Sequence, residues 1–255
     1  MLLCLDHLVI AVPDPEAAAD ELERTVGLAS TGGGRHPTWG TFNRLAWLGD
    51  TYVELIGVFD PTLATSGAVS RPVLAALMAG QSGLVSYALA TDDVEADAAR
   101  LRAAGSPIGE PETRSRTRPD GKVVTWTAAY AELGPATPPF IVQHELTGAE
   151  WGEAARAARA AFVHPLGGRA RVAGLELPVP DVAEAAARYA ETLGLAVDGS
   201  SSTAHVGDQS IHLVPGRPLV DPAVVEIEVE GGAGGARRDV DACGVRWRIR
   251  GWATT

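Results

Sequence analysis

Two polar residues stand out because each interrupts an apolar segment that would otherwise be buried. Glu54 lies within the run Tyr-Val-Glu-Leu-Ile, and His7 follows Asp6 in an aliphatic stretch near the N-terminus. A carboxylate in such a strand is costly to bury without a partner, and an imidazole titrates near neutral pH. Brought together, the two side chains could bind a divalent metal ion or exchange protons with a substrate.

Several residues further along could complete such a site. His36 follows the glycine-rich segment 32–34, which we interpret as a loop, and it is the third catalytic candidate beside His7 and Glu54. Asn43 points to the same side as Leu45 if strand alternation holds. The candidates for substrate binding are Trp39, Thr41, Asn43 and Arg44. The alternative is structural: Trp39 could serve packing alone, and His7 could be a core histidine bonded to a backbone carbonyl.

The elements that must position these residues form an internal repeat. Residues 12–28 read VPDPEAAADELERTVGL, and residues 179–195 read VPDVAEAAARYAETLGL. One constant offset superposes Asp14 on Asp181 and Gly27 on Gly194. Such agreement without a gap indicates a repeated structural unit, and a repeat of this kind constrains the whole fold.

Each copy predicts a strand, a helix and then two or three antiparallel strands. A β-branched run ends at Pro13, Asp14 can cap the helix that follows, and Gly27 can end it. Four such units can be recognised, the fourth with a turn over 231–235 and a short helix over 236–243. The predicted fold class is α+β, with tandem βαβββ units paired into two curved, mixed but mostly antiparallel sheets.

Four units in two pairs predict two halves. Residues 1–147 hold units one and two, residues 148–170 form a connecting segment with an alanine-rich helix, and residues 171–255 form a degenerate second half with units three and four. Segments 61–72 and 109–121 are interpreted as long loops, which are often functional or mobile. The second segment carries three arginines, which are either solvated or part of a lid that presents cations to an anionic substrate. These are Arg114, Arg116 and Arg118.

The bulk composition limits the classes of partner. The formal net charge of −11 argues against nucleic acid and anionic membranes, because both need a basic face. No apolar stretch approaches the roughly 18 residues of a membrane span, and Asp6 and His7 interrupt the N-terminal apolar run, so it is not read as a signal peptide. Two cysteines, Cys4 and Cys243, are too few for a disulfide framework. We therefore expect a cytoplasmic protein with a small-molecule partner, and a homodimer is compatible with the sequence.

The residue pattern of the first unit resembles a known family. The relevant runs are LDHLVIAVPD over 5–14, GGRHPTWGTFNRL over 33–45 and LGDTYVELIGV over 48–58. They are similar to the glyoxalase-like domain of the vicinal-oxygen-chelate superfamily, which includes glyoxalase I, extradiol dioxygenases, fosfomycin-resistance enzymes and bleomycin-binding proteins. The resemblance implies paired βαβββ units, each pair curling a sheet around a concave site.

The resemblance also implies a metal site. In metal-using members the ligands come from the first and last strands of each unit, where this sequence has His7 and Glu54. One divalent ion, Zn, Ni, Fe or Mn, suits these ligands. Unit two offers Gln143 or Glu145 as a third ligand, and we take His7, Glu54 and Glu145 as the set. At the first-strand position the later units have Val85, Gly174 and Val224, and at the last-strand position unit three has His212.

Two functions therefore stand side by side. The first is an enzyme that acts on a small oxygenated molecule by lyase, isomerase or dioxygenase chemistry, with its site in the N-terminal half. His7 and Glu54 would be metal ligands or a metal-free acid–base pair, and His36 and Asn43 would orient the substrate. The second is a protein of bleomycin-resistance type that sequesters a small compound without turnover, which the missing ligands at Val85 and Gly174 favour.

Overall fold

Eight strands of the first half close into a barrel. The computed structural model describes residues 1–231 and 237–252. The barrel strands are β1 (Leu2–Ala11), β2 (Gly32–His36), β3 (Thr41–Leu48), β4 (Thr51–Val58), β5 (Gly83–Thr91), β6 (Glu112–Thr117), β7 (Val123–Ala129) and β8 (Phe140–His144). Their order around the barrel is β1-β4-β3-β2-β6-β7-β8-β5.

Seven strands of the second half form a sheet that stays open. They are β9 (Ala170–Val179), β10 (Val197–Asp198), β11 (Thr203–Val206), β12 (Gln209–Pro215), β13 (Val224–Glu230), β14 (Arg238–Ala242) and β15 (Val245–Trp252), in the order β10-β11-β12-β9-β13-β15-β14. Strand β9 pairs parallel with β12 and antiparallel with β13. Strand β1 pairs in the same way with β4 and β5. The sequence repeat is thus a repeat of topology, and the α+β class with two mixed sheets is confirmed.

The helices pack outside the strands and begin where the sequence predicts caps. They are α1 (Pro15–Thr25), α2 (Pro61–Ala64), α3 (Ser70–Met78), α4 (Val94–Ala103), α5 (Gly148–Trp151), α6 (Glu153–Ala160) and α7 (Val182–Leu193). The side chains of Asp14, Asp93 and Asp181 accept backbone N–H groups at the starts of α1, α4 and α7, as capping predicts. Within the two described ranges, none of the helices combines the length and apolar character needed to span a membrane.

Two predicted loops contain regular structure. The segment 32–34 belongs to β2, because its glycines let neighbouring chains approach closely: a side chain at Gly34 would collide with the carbonyl oxygen of Thr117 on β6. The segment 109–121 contains β6, and the segment 61–72 contains α2 and the start of α3. The alanine-rich connecting helix is two short helices, α5 and α6, with Gly152 between them.

The fourth unit also differs from the prediction. Where a helix was expected over 236–243, the structure has strand β14, which pairs antiparallel with β15. Cys243 and Gly244, both with positive φ, make the tight turn that a hairpin requires. The turn predicted over 231–235 lies outside the described residues except for Gly231.

The barrel and the open sheet share one core. Leu8 and Leu89 of the barrel belong to the same apolar cluster as Tyr189 and Trp247 of the second half. The hydroxyl oxygens of Tyr87 and Tyr189 lie 2.5 Å apart in this cluster. The sheets follow the division of the chain into two halves, whereas domain boundaries at residues 147 and 171 stay a prediction.

Replacing Gln209 by leucine tests whether the two sheets unfold together. The Gln209 amide accepts the Leu5 N–H of β1 at 2.6 Å and donates to the Val172 carbonyl of β9 at 3.0 Å. Leucine would leave both buried backbone groups without a partner, so we expect the free energy of unfolding to fall by about 2–4 kcal/mol. Urea unfolding should still show one transition.

The matched control is His205→Gln on the exposed side of β11, which should change that free energy by less than about 0.5 kcal/mol. Two transitions, only one of which moves in the Gln209 variant, would contradict joint unfolding and support separate domains.

Candidate functional site

Alternate side chains of the barrel strands point inward, and many of them are polar or aromatic. They surround a cavity of about 50 Å³, which is room for a few water molecules. The polar side chains on its lining include His7, His36, Asn43, Glu54, Arg116 and His144. The aromatic ones include Trp39, Tyr52, Trp126, Tyr130 and Trp151. The inner surface of the barrel therefore combines charged groups with aromatic rings.

One buried carboxylate organises the two histidines of this surface. Asp6 Oδ1 lies 2.6 Å from His7 Nδ1 and 3.0 Å from His144 Nε2. The His7 ring stacks on Tyr52 with centroids 4.6 Å apart, and the His144 ring stacks on Trp151 at 3.9 Å. Both imidazoles are thus fixed in plane and in direction.

The charge of Asp6 is set by competing effects. Burial by itself would raise the pKa of the Asp6 carboxyl, but the facing imidazoles of His144 and His7 outweigh it and hold that pKa well below its usual range. Asp6 is therefore ionised at neutral pH, and it accepts a hydrogen bond from each ring.

Glu54 lies on the opposite side of His7. Asn43 Nδ2 donates to Glu54 Oε1 at 2.5 Å, while Glu54 Oε2 is 3.9 Å from His7 Nε2. The second distance is too long for a direct hydrogen bond, so both atoms keep capacity for a ligand. Asn43 Oδ1 is buried and has no hydrogen-bond partner among the described residues.

His36, Thr41 and Trp39 form the neighbouring part of the lining. His36 Nδ1 lies 2.9 Å from Thr41 Oγ1, and its ring lies between Trp39 and Trp126 at centroid distances of 5.7 and 6.1 Å. Burial lowers the pKa of His36 to about 4. His36 is consequently a neutral imidazole at physiological pH, on a strand and not in the predicted loop.

Two predicted site residues lie away from the cavity. Arg44 is on the outer side of β3, where its guanidinium bonds to Glu16 at 2.8 Å. Glu145 is exposed just past the end of β8, and Gln143 caps α4 by accepting the Val94 N–H at 3.0 Å. The residue that faces inward on this strand is His144, which lies between Gln143 and Glu145. The alternation along β8 is therefore shifted by one residue from the one that the repeat alignment predicts.

Two residues of the candidate site escaped the sequence analysis, and a third was placed in the wrong surroundings. Asp6 and His144 were passed over, although each stands next to a residue that was named. Arg116 was placed in a loop or lid, but its side chain lines the cavity. Its guanidinium donates to the Gly33 carbonyl at 2.6 Å and to Glu150 Oε2 at 2.7 Å. The signal that could have indicated Asp6 and His144 is the run Asp-His on β1 together with the run Gln-His-Glu at the end of β8.

Helix α5 closes one side of the cavity. Its residues Glu150 and Trp151 both line the cavity, and the Arg116–Glu150 ion pair is buried at 5% and 9% exposure of the two side chains. Outside, Arg156 of α6 is tied to Asp50 in the β3–β4 turn at 2.5 Å. The connecting segment between the halves thus acts as part of the site wall.

The second half has no matching arrangement among its described residues. Gly174 takes the position of His7 in the repeat, and a Cβ there would lie 2.6 Å from the Ser210 carbonyl oxygen. His212, at the Glu54 position, lies 3.0 Å from Thr203 Oγ1. The polar inner surface belongs to the barrel.

The residues present fit a divalent metal ion. Asp6, His7 and His144 offer ligand atoms that all lie within 4.8 Å of one another. On the cavity side, His7 Nε2, Glu54 Oε2 and the unpartnered Asn43 Oδ1 offer a second set of donors. Nitrogen and carboxylate ligands with open positions are typical of catalytic zinc, iron and manganese sites. The predicted third ligand, Glu145, does not reach either set.

A family model decides the relationship that the first unit suggested. The model described as the glyoxalase-like domain matches residues 5–193. The chain belongs to the glyoxalase-like domain family. The match begins within β1, covers the rest of the barrel and extends through the first strand and helix of the second half. No curated protein matches the sequence.

Solved structures that are similar to this chain are distant from it in sequence. A hypothetical protein from Staphylococcus aureus is 14% identical, with a TM-score of 0.75 over 97% of this glyoxalase-like chain and 99% of that one. A Streptomyces coelicolor methylmalonyl-CoA epimerase, solved with 2-nitronate-propionyl-CoA, is 20% identical, with a TM-score of 0.42 over 58% of this chain and 99% of that one. The epimerase from Mycobacterium tuberculosis is 19% identical at the same TM-score and covers 58% of this chain and 90% of that one. The likeness to the Staphylococcus aureus protein establishes the fold and leaves the chemistry to the site.

The burial of His36 predicts a loss of stability in mild acid. Unfolded His36 takes up a proton as the pH falls through its ordinary pKa of 6.5, while folded His36 resists until about 4. The contribution of neutral His36 to the free energy of unfolding is therefore complete above pH 6.5 and is lost as the pH falls towards 4. The free energy of unfolding should fall by about 2–3 kcal/mol from pH 7 to pH 4.5. Urea unfolding of wild type and His36→Asn over this range should show a smaller loss in the variant.

Buried His164, whose pKa burial also lowers, contributes to both proteins and cancels in the comparison. The lowered pKa of Asp6 acts only in stronger acid. Equal losses in wild type and variant would contradict a neutral, buried His36.

Proposed function

We propose that this glyoxalase-like protein is an enzyme that acts on a small oxygenated substrate in the barrel cavity, with His7 as the group that takes up and returns a proton. The observation that carries the proposal is the line Asp6–His7–Glu54, in which a buried carboxylate holds one ring nitrogen at 2.6 Å and leaves the other facing the cavity. Carboxylate–imidazole pairs of this kind orient a general base.

The chemistry follows from the positions of the protons. Asp6 accepts the Nδ1–H of His7, so Nε2 carries a lone pair on the cavity side. This nitrogen can remove a proton from a carbon next to a substrate carbonyl, and the electron pair of that C–H bond moves into an enolate. Returning the proton to another face or atom gives an isomerase, and loss of a leaving group from the enolate gives a lyase. Glu54 lies close enough to stabilise the imidazolium that forms.

Neighbouring residues support this role of His7. Asn43 donates to Glu54 and keeps its second carboxylate oxygen turned towards His7. The rings of Tyr52 and Trp151 exclude water from the two imidazoles, which strengthens each electrostatic interaction. Neutral His36, beside Thr41, is placed to orient a polar substrate group, and Trp39 is placed to contact its apolar part.

A divalent metal ion is the alternative arrangement of the same site, because a His7 Nε2 that binds a metal cannot also take up a proton. His7 and Glu54 would hold it on the cavity side, with Asp6 fixing the ring of His7 from behind as second-layer carboxylates do. Asp6, His7 and His144 are the other set that could hold it. Such an ion would polarise a carbonyl or bind two adjacent substrate oxygens.

The second candidate function is a non-catalytic protein that sequesters a small molecule. The observation that favours it is that the second copy of the repeat has Gly174 in place of a histidine. A cytoplasmic location and a homodimer remain predictions from the sequence.

Proton exchange in heavy water tests the enzymatic proposal. We would incubate a panel of small hydroxy-carbonyl compounds with the protein in deuterium oxide and follow deuterium incorporation by NMR. Wild type should label at least one compound, and His7→Gln should label it about 10²–10⁴-fold more slowly, which is the usual contribution of a general base.

The matched control is His205→Gln in the second half, which should label at the wild-type rate. Equal rates in wild type and His7→Gln would contradict His7 as the base. A compound that binds tightly and never exchanges would favour the sequestering protein.

Elemental analysis tests the metal. If the site holds a metal, protein purified without added metal should contain one equivalent, and His7→Ala should lose it because both candidate sets use His7. Glu54→Gln should lose the ion if it sits on the cavity side, and His144→Ala should lose it if it sits beside Asp6. Metal that persists in all three variants, or its absence from wild type even after reconstitution, would rule out both sets.

A further inference from the structure

The barrel cavity is too small to hold a whole organic substrate. Its volume is about 50 Å³, whereas a groove outside the barrel has a volume of about 940 Å³. Pockets of roughly 300–1,000 Å³ are typical of small-molecule sites. The lining of the groove comes mainly from β2, β3, the β6–β7 turn and helices α5 and α6. Most of any ligand that reaches the cavity must therefore lie in another space, and the groove is large enough to hold it.

The groove meets the cavity where the barrel wall has few backbone contacts. Asn43 and Glu150 line both spaces. At this seam β2 pairs with β6 at one position, Arg35 with Thr117, whereas β6 pairs with β7 at six positions. Asn43 also donates to Glu54 of the proposed site. A ligand in the groove can therefore direct one end past the seam towards that site.

The groove is rich in cations although the chain as a whole is acidic. Its lining carries four guanidinium groups, which come from β2, β3, the β6–β7 turn and α6: Arg35, Arg44, Arg118 and Arg159. Three carboxylates also line it, and one of them, Glu150, is already paired with the buried guanidinium of Arg116. Cations thus outnumber carboxylates here, whereas the formal net charge of the chain is −11. Guanidinium groups bind phosphoryl and carboxylate oxygens with two parallel hydrogen bonds, so the lining favours an oxyanion.

Three of these cations are available to a ligand. In the described part of the chain no carboxylate forms an ion pair with Arg35, and its side chain is exposed. Arg44 pairs with Glu16, and Arg118 pairs with Asp120, but these carboxylates are 64% and 42% exposed. Exposed ion pairs add little stability. An anionic group in the groove can therefore join or replace either carboxylate.

The fourth cation, Arg159, shapes the groove. Its guanidinium lies 4.1 Å from the ring centroid of Trp47 and 3.1 Å from Asp50, so it ties α6 to the barrel. Arg156 also pairs with Asp50, and the charge of this carboxylate is thus shared between two cations. Ala158, next to Arg159, lines the groove as well. Its small side chain leaves the space between α6 and the barrel open.

We propose that the groove binds an oxyanion group of the ligand, a phosphoryl group or a carboxylate, while another end of the same ligand enters the barrel cavity. The inference rests on the proposed site in the barrel and narrows its substrate class to oxygenated compounds that also carry an anionic group. Arg35, Arg44 and Arg118 hold the oxyanion. The sequence left open whether Arg118 is solvated or faces an anionic substrate, and its place in the groove favours the second role.

Anion binding to the groove can be measured with simple probes. Pyrophosphate and succinate represent the phosphoryl and the carboxylate forms, and each would be titrated by calorimetry near neutral pH in about 0.1 M salt, which screens distant charges. The protein would first be dialysed against a chelator, so that pyrophosphate cannot bind through a metal ion. At least one probe should bind with a Kd of about 1 mM or below, and no saturable binding of either up to about 10 mM would overturn the proposal. The tighter probe identifies the oxyanion.

Ala158→Glu tests whether the anion lies in the groove. The new carboxylate would enter the groove and repel the probe, so the affinity should fall at least about tenfold. Ala157→Glu is the same substitution at the neighbouring position of α6, which is also exposed but does not line the groove. It should weaken binding by less than about threefold, because salt screens its charge. Equal losses in the two variants, or no loss in Ala158→Glu, would contradict binding in the groove.

Arg35→Gln tests one of the cations directly. The affinity should fall by about tenfold, which is the usual size of a hydrogen bond to a charged group. The matched control is Arg71→Gln on α3: Arg71 is also exposed and forms no ion pair within the described ranges, and α3 packs on β4, β1 and β5 on the other side of the barrel. Both variants lose one positive charge. Equal weakening in both would therefore indicate a general effect of net charge and would count against the groove.

These titrations are independent of the proton-exchange measurement. Anion binding that Ala158→Glu removes, without labelling of any compound in deuterium oxide, would reject the enzyme and keep the groove as a binding site. Labelling of a compound by a protein that binds neither anion would reject the groove and keep the enzyme.

Discussion

One oxygen of Asp6, shared by two imidazoles, is the interaction on which the site depends. His7 comes from β1 and His144 from β8, and β5 lies between these strands in the barrel. Ala88 is the residue of β5 that pairs with His7 on one side and with Phe140 on the other. Its small side chain leaves room for groups from the two outer strands to meet, so closure of the barrel is what creates the shared carboxylate.

Burying these charges is costly, and their partners reduce the cost. Asp6 faces two imidazoles, Glu54 accepts from Asn43, and Arg116 is paired with Glu150. A well-packed apolar interior would be at least as stable as such a set of buried ions. Locally unfavourable choices of this kind are expected at functional sites, and these three pairs lie around the barrel cavity.

The fold could be predicted from the sequence further than the site. The repeat predicted the topology, and the caps at Asp14 and Asp181 located the helices, because these signals are local. The family resemblance predicted His7 and Glu54 as inward residues and alternation with Leu45 predicted Asn43, whereas the neighbouring Arg44 lies on the outer side. On β8 the same reasoning named residues on the wrong face, since a register shift of one residue cannot be read from an alignment of repeats. His36 and residues 238–242 were misassigned because strand pairing over long distances overrode local propensity.

Gly174 has a consequence for how the two copies of the unit can evolve. It stands where the first copy has His7, and the Ser210 carbonyl oxygen of the neighbouring strand β12 occupies the space of a side chain. A single substitution to histidine would therefore meet a backbone, and β12 would have to shift before the imidazole could fit. A histidine is thus hard to gain in this copy, whereas the barrel copy can vary its chemistry around the Asp6–His7 pair.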